Sequence, residues 1–256
     1  MFNKKKIFSN HVRASQNKNK KAQKFFSMIY NILIDKCSTY NSIKSSDVIL
    51  ELAARNDVLI NTLNSRRIFP YFYRTVLTSN VKIKNKNVVV SELENQTFLN
   101  SSLNKCFCIL SINNSTKIPL VFQNVYNVLK EKGIFISVFP TEECLNEFRF
   151  FFLNYFKPKV DRSFSPILDI QTIGNIGTSV GFKNVVVDKE KFFLDITKPE
   201  EIWSFIRDIG ESNSLINNKE FLIKKSLYKD FYSSYYKEIK EKSINTFSFY
   251  FFLGTK

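Results

Sequence analysis

Histidine is nearly absent. The chain of 256 residues holds one, His11. That removes the base from Ser-His and Cys-His nucleophile pairs. It also leaves zinc short of ligands, because the four cysteines, Cys37, Cys106, Cys108 and Cys144, form no CxxC pair. No metal site is expected. Cys106 and Cys108 fall on one face of an expected strand, a spacing that suits core packing. Long apolar runs are missing too. The strongest, "FRFFFLNYF", is short and broken by Arg149 and Asn154, so no membrane-spanning segment is expected. No acid precedes Asp35, and the basic opening "MFNKKKIFSNHVRASQNKNKKAQKFF" lacks the apolar core of a secretion signal. On charge alone, that opening is compatible with a mitochondrial-type presequence. Arginine-rich tracts, zinc-finger spacings and RNA-binding aromatic signatures are also lacking. The net charge of +15, from 38 basic residues against 23 acids, therefore reads as scattered, solvated lysines, and nucleic acid is an unfavoured partner.

What is there is an ordinary globular balance, 44% hydrophobic and 24% charged, enough for a sizeable core. Residues 1–45 read as a basic, partly helical arm, with Phe25, Ile29, Ile32 and Leu33 near helical spacing. From 46 to 140, strands and helices alternate. "VILELA", "YRTVLTS", "NVVVSE", "CFCILSI" and "IFISVFP" are strand-like. "DVLINTLN" and "IPLVFQNVYNVLKEKG" are helical, the second with Pro119 near its start and Gly133 as its stop. Such alternation predicts a parallel α/β sheet. Residues 141–256 continue the same domain with a helical lobe. Helices are expected over 141–156, around 170–182, over 198–210 and over 219–242. Two strand-like runs lie in 183–196, and a closing strand lies in 244–256.

Two stretches bear on chemistry. "VILELAARNDVLINTL", 48–63, begins like the first strand and turn of a nucleotide-cofactor fold, with Glu51 as its acid. Its turn, Ala53-Ala54-Arg55-Asn56-Asp57, has no glycine to let backbone approach a ligand. "RDIGESNSL", 207–215, gathers Asp208, Glu211, Ser212 and Asn213 in a compact loop. Read alone, it is a helix stop followed by a capping sequence.

That loop also resembles the S-adenosylmethionine methyltransferase-like family that contains mitochondrial complex I assembly factor 5 and its bacterial relatives. The biotin-pathway carrier-protein methyltransferases are more distant cousins. The family's "GESN" is similar to Gly210-Glu211-Ser212-Asn213 after Asp208, and its closing strand resembles Thr246-Phe247 through Gly254. "L-x-E-L-R" resembles Leu145-x-Glu147-Phe148-Arg149, "SPF" resembles Ser165-Pro166, and "AGF" resembles Val180-Gly181-Phe182. "L-K-x-x-G" resembles Leu129-Lys130-Glu131-Lys132-Gly133. The opening from Phe2 is similar to the family's own, which lowers the presequence reading. The likeness is loose between 64 and 105.

The resemblance implies a class I methyltransferase fold: a Rossmann-like, mostly parallel sheet with helices on both faces, an N-terminal helical arm and a C-terminal α+β extension. It implies S-adenosylmethionine as cofactor, held by Glu51, Ala53, Ala54, Asp57, Thr78, Glu92 and Asn113, with Asp208, Glu211 and Asn213 facing an acceptor. The family's three motif glycines fall on Ala53, Arg55 and Asp57, a change that bears directly on cofactor affinity. Thr78 or Ser79 stands where an acid usually holds the ribose, and Glu92 or Glu94 stands near the adenine. Methyl transfer needs proximity and alignment more than acid–base groups, so the scarcity of histidine does not oppose it. The relatives imply methyl transfer, or arginine hydroxylation and assembly of respiratory complex I. The location would be bacterial cytoplasm, peripheral to the inner membrane, or the mitochondrial matrix. A cofactor-free scaffold or assembly protein with the same fold is the alternative.

Overall fold

The computed structural model describes residues 2–84, 87–95, 97–156, 164–194, 196, 198–216, 225–239 and 245–256. Seven strands form one sheet in the order β3-β2-β1-β4-β5-β7-β6. β1 (Val48–Leu52), β2 (Tyr71–Val76), β3 (Val88–Val90), β4 (Leu103–Ile109) and β5 (Leu129–Pro140) run parallel. β7 (Thr246–Thr255) lies antiparallel between β5 and β6 (Lys183–Phe193). The chain after 140 thus completes the sheet that the chain before it begins.

The parallel strands are apolar on both faces because both faces are covered by helices. Ile49, Phe107, Ile136 and Phe251 join one core with Phe25 of α2 (Lys20–Tyr40), Leu59 of α3 (Val58–Ser65) and Phe148 of α5 (Asn146–Phe156). Phe205 of α7 (Pro199–Asp208) and Phe231 of α8 (Lys225–Ile239) complete that layer. The alternate positions, Leu50, Cys106, Cys108, Phe135 and Phe252, face Phe122 of α4 (Ile118–Val128) and Ile173 of α6 (Ile170–Val180). Ile7 of α1 (Lys4–Gln16) belongs to this second core. Both central cysteines are fully buried, and burial pushes the Cys108 thiol up to about 12.

Several boundaries differ from the sequence reading. The helix over 118–133 stops at Val128, and 129–133 belong to β5. Leu129 pairs with Leu103, and the register then shifts so that Lys105 meets Ile134. The extra residues are absorbed by a bend, with Lys132 at φ 62°. Gly133 sits inside that bend, where a Cβ would lie 2.7 Å from the Lys130 carbonyl. Its role is close approach within a strand, not a helix stop. The helix expected from Thr141 begins at Asn146, after a turn in which Leu145 has φ 54°. In place of the two runs expected there, Lys183–Phe193 form one strand. Of the helix expected over 219–242, α8 supplies 225–239, and the remainder lies outside the described residues.

Candidate functional site

The sheet order places a switch point between β1 and β4, where the connections leave in opposite directions. In open α/β sheets, ligands bind beyond the carboxyl ends of the strands at this point. Here the turn after β1 supplies the floor. Ala53 takes φ 49°, the left-handed backbone that a glycine adopts most easily. The turn is pinned to β2: Ala53 N donates to Thr75 Oγ1 at 2.9 Å, and Ala54 N donates to the Thr75 carbonyl at 2.8 Å. The backbone shape of the motif is therefore kept with alanine in place of its first glycine.

The other two glycine positions carry side chains that turn inward. Arg55 is 3% exposed. Its Nη1 donates to the Ile209 carbonyl at 2.9 Å and to Glu211 Oε1 at 2.6 Å. Its Nη2 donates to Ser111 Oγ at 2.7 Å and to the Ile109 carbonyl at 3.3 Å. One guanidinium thus joins the end of β4 to the loop after α7. Asp57, at the third position, accepts from Arg74 Nη1 at 2.6 Å. Arg74 rises from β2, fully buried, and its Nε lies 3.1 Å from Glu51 Oε2 as an ion pair without an aligned hydrogen bond. Tyr30 of α2 donates to the other oxygen, Glu51 Oε1. Burial raises the Glu51 carboxyl, opposed by Arg74 and the Tyr30 hydroxyl, and burial beside Glu51 holds Tyr30 well above its ordinary range.

The loop 209–215 is set by Gly210, which ends α7 at φ 80° while Glu211 N returns to the Ile206 carbonyl at 2.9 Å. A Cβ there would stand 3.0 Å from both Ala14 Cβ and the Asn10 carbonyl, and 3.3 Å from Arg55 Nη1. The glycine lets α1 and the Arg55 guanidinium close onto the same backbone. α1 is then laced to the loop by Asn10 Nδ2 donating to the Ser212 carbonyl at 2.7 Å and Asn3 N donating to the Ser214 carbonyl at 2.6 Å. Glu211 accepts also from Asn113 and Asn114, and burial, opposed by Arg55, raises its carboxyl. His11, on the same helix, is buried with neither ring nitrogen bonded, and burial beside Arg55 holds it well below its ordinary value.

Three cavities border these residues. One of about 220 Å³ lies beyond β4 and β5 and is lined by Asn113, Glu211 and Asn213 among aromatic side chains. A second, of about 210 Å³, lies beyond β2 and β3 under α1 and is lined by Glu92, Glu94 and Ser111. Asp57 and Asp208 line a third, polar cavity of about 460 Å³ between α1, α2 and α3. The structure therefore brings Glu211, Asn213 and Asn113 together and sets Asp208 and Glu92 apart from them. Asp208 accepts from Asn19 Nδ2 at 2.6 Å, and Glu92 pairs with Lys4 at 2.5 Å. Glu51 sits in the buried Tyr30–Arg74 network, and Thr78 is half-buried just after β2. Sequence reasoning missed Tyr30, Arg74 and Ser111. Arg74 carried one signal: a lone cation in an apolar strand, one strand away from Glu51.

No family model matches the chain. Over 199 residues it is 25% identical to RP459, a protein of Rickettsia prowazekii (strain Madrid E) named as a candidate methyltransferase, covering 72% of this chain and 84% of that one. It is 23% identical to a Dictyostelium discoideum protein named arginine-hydroxylase NDUFAF5, mitochondrial, over 60% of this chain and 38% of that one. The human protein of the same name is 21% identical, over 85% of this chain and 66% of its own length. The chain thus spans less than two thirds of either NDUFAF5 protein. Among solved structures, a SAM-dependent methyltransferase from Archaeoglobus fulgidus superposes with a TM-score of 0.54 at 11% identity, covering 89% of this chain and 94% of that one. A candidate methyltransferase from an antibiotic biosynthesis pathway of Anabaena variabilis gives 0.56 at 14%, covering 90% and 97%. A Haemonchus contortus phosphoethanolamine N-methyltransferase 2, solved with S-adenosyl-L-methionine, gives 0.51 at 15%, covering 88% and 52%.

S-adenosylmethionine is thus the cofactor named with the solved neighbours. At the motif positions this chain carries Ala53, Arg55 and Asp57, and the Arg55 guanidinium lies at the switch point. Ser111 lines the 210 Å³ cavity and Glu211 lines the 220 Å³ cavity, and Arg55 bonds to both. The guanidinium therefore stands between the two spaces. By sheet order the chain has the Rossmann-like fold of S-adenosylmethionine-dependent methyltransferases, and in sequence it is a homologue of proteins named as a candidate methyltransferase and as NDUFAF5 arginine-hydroxylases.

Proposed function

We propose that this chain works as a methyltransferase-fold protein without bound S-adenosylmethionine, in the assembly or handling of a partner rather than in methyl transfer. The observation that carries the reading is the part-buried Arg55–Glu211 pair across the switch point, 2.6 Å long and tied to two backbone carbonyls. A ligand entering there would have to displace a charge that is paired and hydrogen-bonded on all sides, and leave Glu211 buried without its cation. In this reading Glu51, Arg74 and Asp57 hold the first turn closed, and Glu211 and Ser111 hold Arg55. The family resemblance points to a protein partner, a subunit of respiratory complex I. A mitochondrial matrix or a bacterial cytoplasmic setting beside the inner membrane goes with that partner. No helix among the described residues is long and apolar enough to cross a membrane.

Thermal melting of the full chain tests the reading. A ligand present at about ten times its Kd adds roughly 1.4 kcal/mol to native stability. About 1 mM S-adenosylmethionine is expected to leave the melting temperature unchanged. A reproducible upward shift would return the chain to the methyltransferases.

A second reading, S-adenosylmethionine-dependent transfer, is favoured by the 210 Å³ cavity beside Glu92 and Glu94. It requires Arg55 to swing away so that Ala53, Ala54, Asp57 and Thr78 border a ligand. Arginine hydroxylation, the activity in the names of two relatives, is an oxidation and stands beside methyl transfer as a separate enzyme alternative.

A further inference from the structure

Several pieces of sequence that the functional reading leaves without a task converge on the 220 Å³ cavity. Leu145 and Arg149 line it from α5 and the turn before it, Ser165 and Pro166 from the segment ahead of α6, and Phe247 from β7. Glu147 fixes the last of these by accepting from Thr246 Oγ1 at 2.7 Å. Aromatic rings of Phe164, Trp203 and Phe247 make up much of the wall.

Two side chains that line the cavity carry charge. Glu211 is already met by Arg55 at 2.6 Å and by two asparagine amides. Arg149 differs. Its guanidinium lies over the Phe164 ring, 5.1 Å from the centroid, and Nη1 donates to the Glu142 carbonyl at 3.2 Å. Among the described residues it forms no ion pair, and its Nε is buried without a hydrogen-bond acceptor. A half-buried guanidinium stacked on an aromatic ring, with its charge unmatched, is an anion receptor, and its planar fork matches a carboxylate best. The cavity is smaller than sites that enclose drug-sized molecules, and it suits a body of about ten non-hydrogen atoms.

We propose that this cavity binds a small free carboxylic acid with an aromatic or branched apolar body, the carboxylate on Arg149 and the body among Phe164, Trp203 and Phe247. The inference is independent of whether S-adenosylmethionine binds, because the cavity lies on the far side of Arg55 from the space beside Glu92.

Trp203 is the one tryptophan of the chain, so its fluorescence reports on this wall alone. The full chain is titrated with 3-phenylpropanoate and, separately, with the uncharged 3-phenylpropanamide. The expected result is a saturable change in Trp203 emission with the acid, at a Kd of about 1 mM or tighter, and binding of the amide at least about tenfold weaker. Arg149→Gln, shown to be folded by circular dichroism, is expected to bring acid and amide level. Should that variant not fold, the comparison on the native chain still decides. No saturable change with the acid, or an amide that binds within tenfold of it, overturns the proposal. Acid binding together with S-adenosylmethionine binding would sink the functional reading and leave this one standing.

Discussion

Arg55 decides how the switch point is read, and its energetics can be tested directly. Removing one member of a buried, hydrogen-bonded ion pair leaves the other charge without compensation, a loss of about 3–5 kcal/mol. Arg55→Met is expected to fall in that range by denaturant unfolding. Adding Glu211→Gln removes the stranded charge, so the double variant should be more stable than the sum of the single losses by about 0.5–3 kcal/mol. Additive losses would mean that the pair is not coupled. His11 gives a second test at the same scale. Its folded pKa is depressed by burial and by Arg55, so its contribution to stability is full above its unfolded value of about 6.5 and is lost as pH falls. Stability should drop by about 1.4 kcal/mol per pH unit below that point until the folded value is reached. Because the chain has no other histidine, His11→Phe should flatten the slope between about pH 6.5 and 5.5. An unchanged slope would contradict the burial of an uncharged imidazole.

At the scale of elements, Gly210 joins α7, α1 and the Arg55 turn. An alanine there meets both a left-handed φ of 80° and atoms of Ala14 and Asn10 at 3.0 Å. Gly210→Ala is expected to cost about 1–3 kcal/mol, read as a lower urea midpoint with an unchanged slope. A neutral substitution would mean that α1 is not pressed against this loop. The same elements mark what was legible in the residues. The acid of the first turn, Glu51, and the compact loop 207–215 stood out by composition and position. The direction in which Arg55 points did not, because a guanidinium has the same sequence signature in solvent as over a carbonyl. What buries it is the arrival of Ile209 and Glu211 from more than 150 residues away in the chain. The early end of α4 was hidden for a similar reason. Leu129-Lys130-Glu131-Lys132-Gly133 has helical propensity and a glycine where a stop belongs, but pairing of Leu129 with Leu103 draws it into β5.

At the scale of the whole molecule, the alternation of apolar strands and helices from 46 to 140 was enough to state a parallel α/β sheet. The strand order and the antiparallel setting of β7 were not legible, since strand pairing across long crossovers leaves no local trace; the family resemblance implied only a mostly parallel sheet. The division of labour across the sheet follows from this order. β1 and β2 carry a polar network of Tyr30, Glu51, Arg74 and Asp57, Arg55 pairs with Glu211 beside the end of β4, and the ends of β4 and β5 border an open aromatic cavity. The fold of the S-adenosylmethionine methyltransferases is kept, and the proposed function rests on Arg55 filling the place of the cofactor crossing. Isothermal titration calorimetry of the full chain with S-adenosylmethionine tests this most directly. No heat of binding is predicted at millimolar ligand. A Kd tighter than about 100 μM, roughly 5.5 kcal/mol of binding free energy, would contradict it.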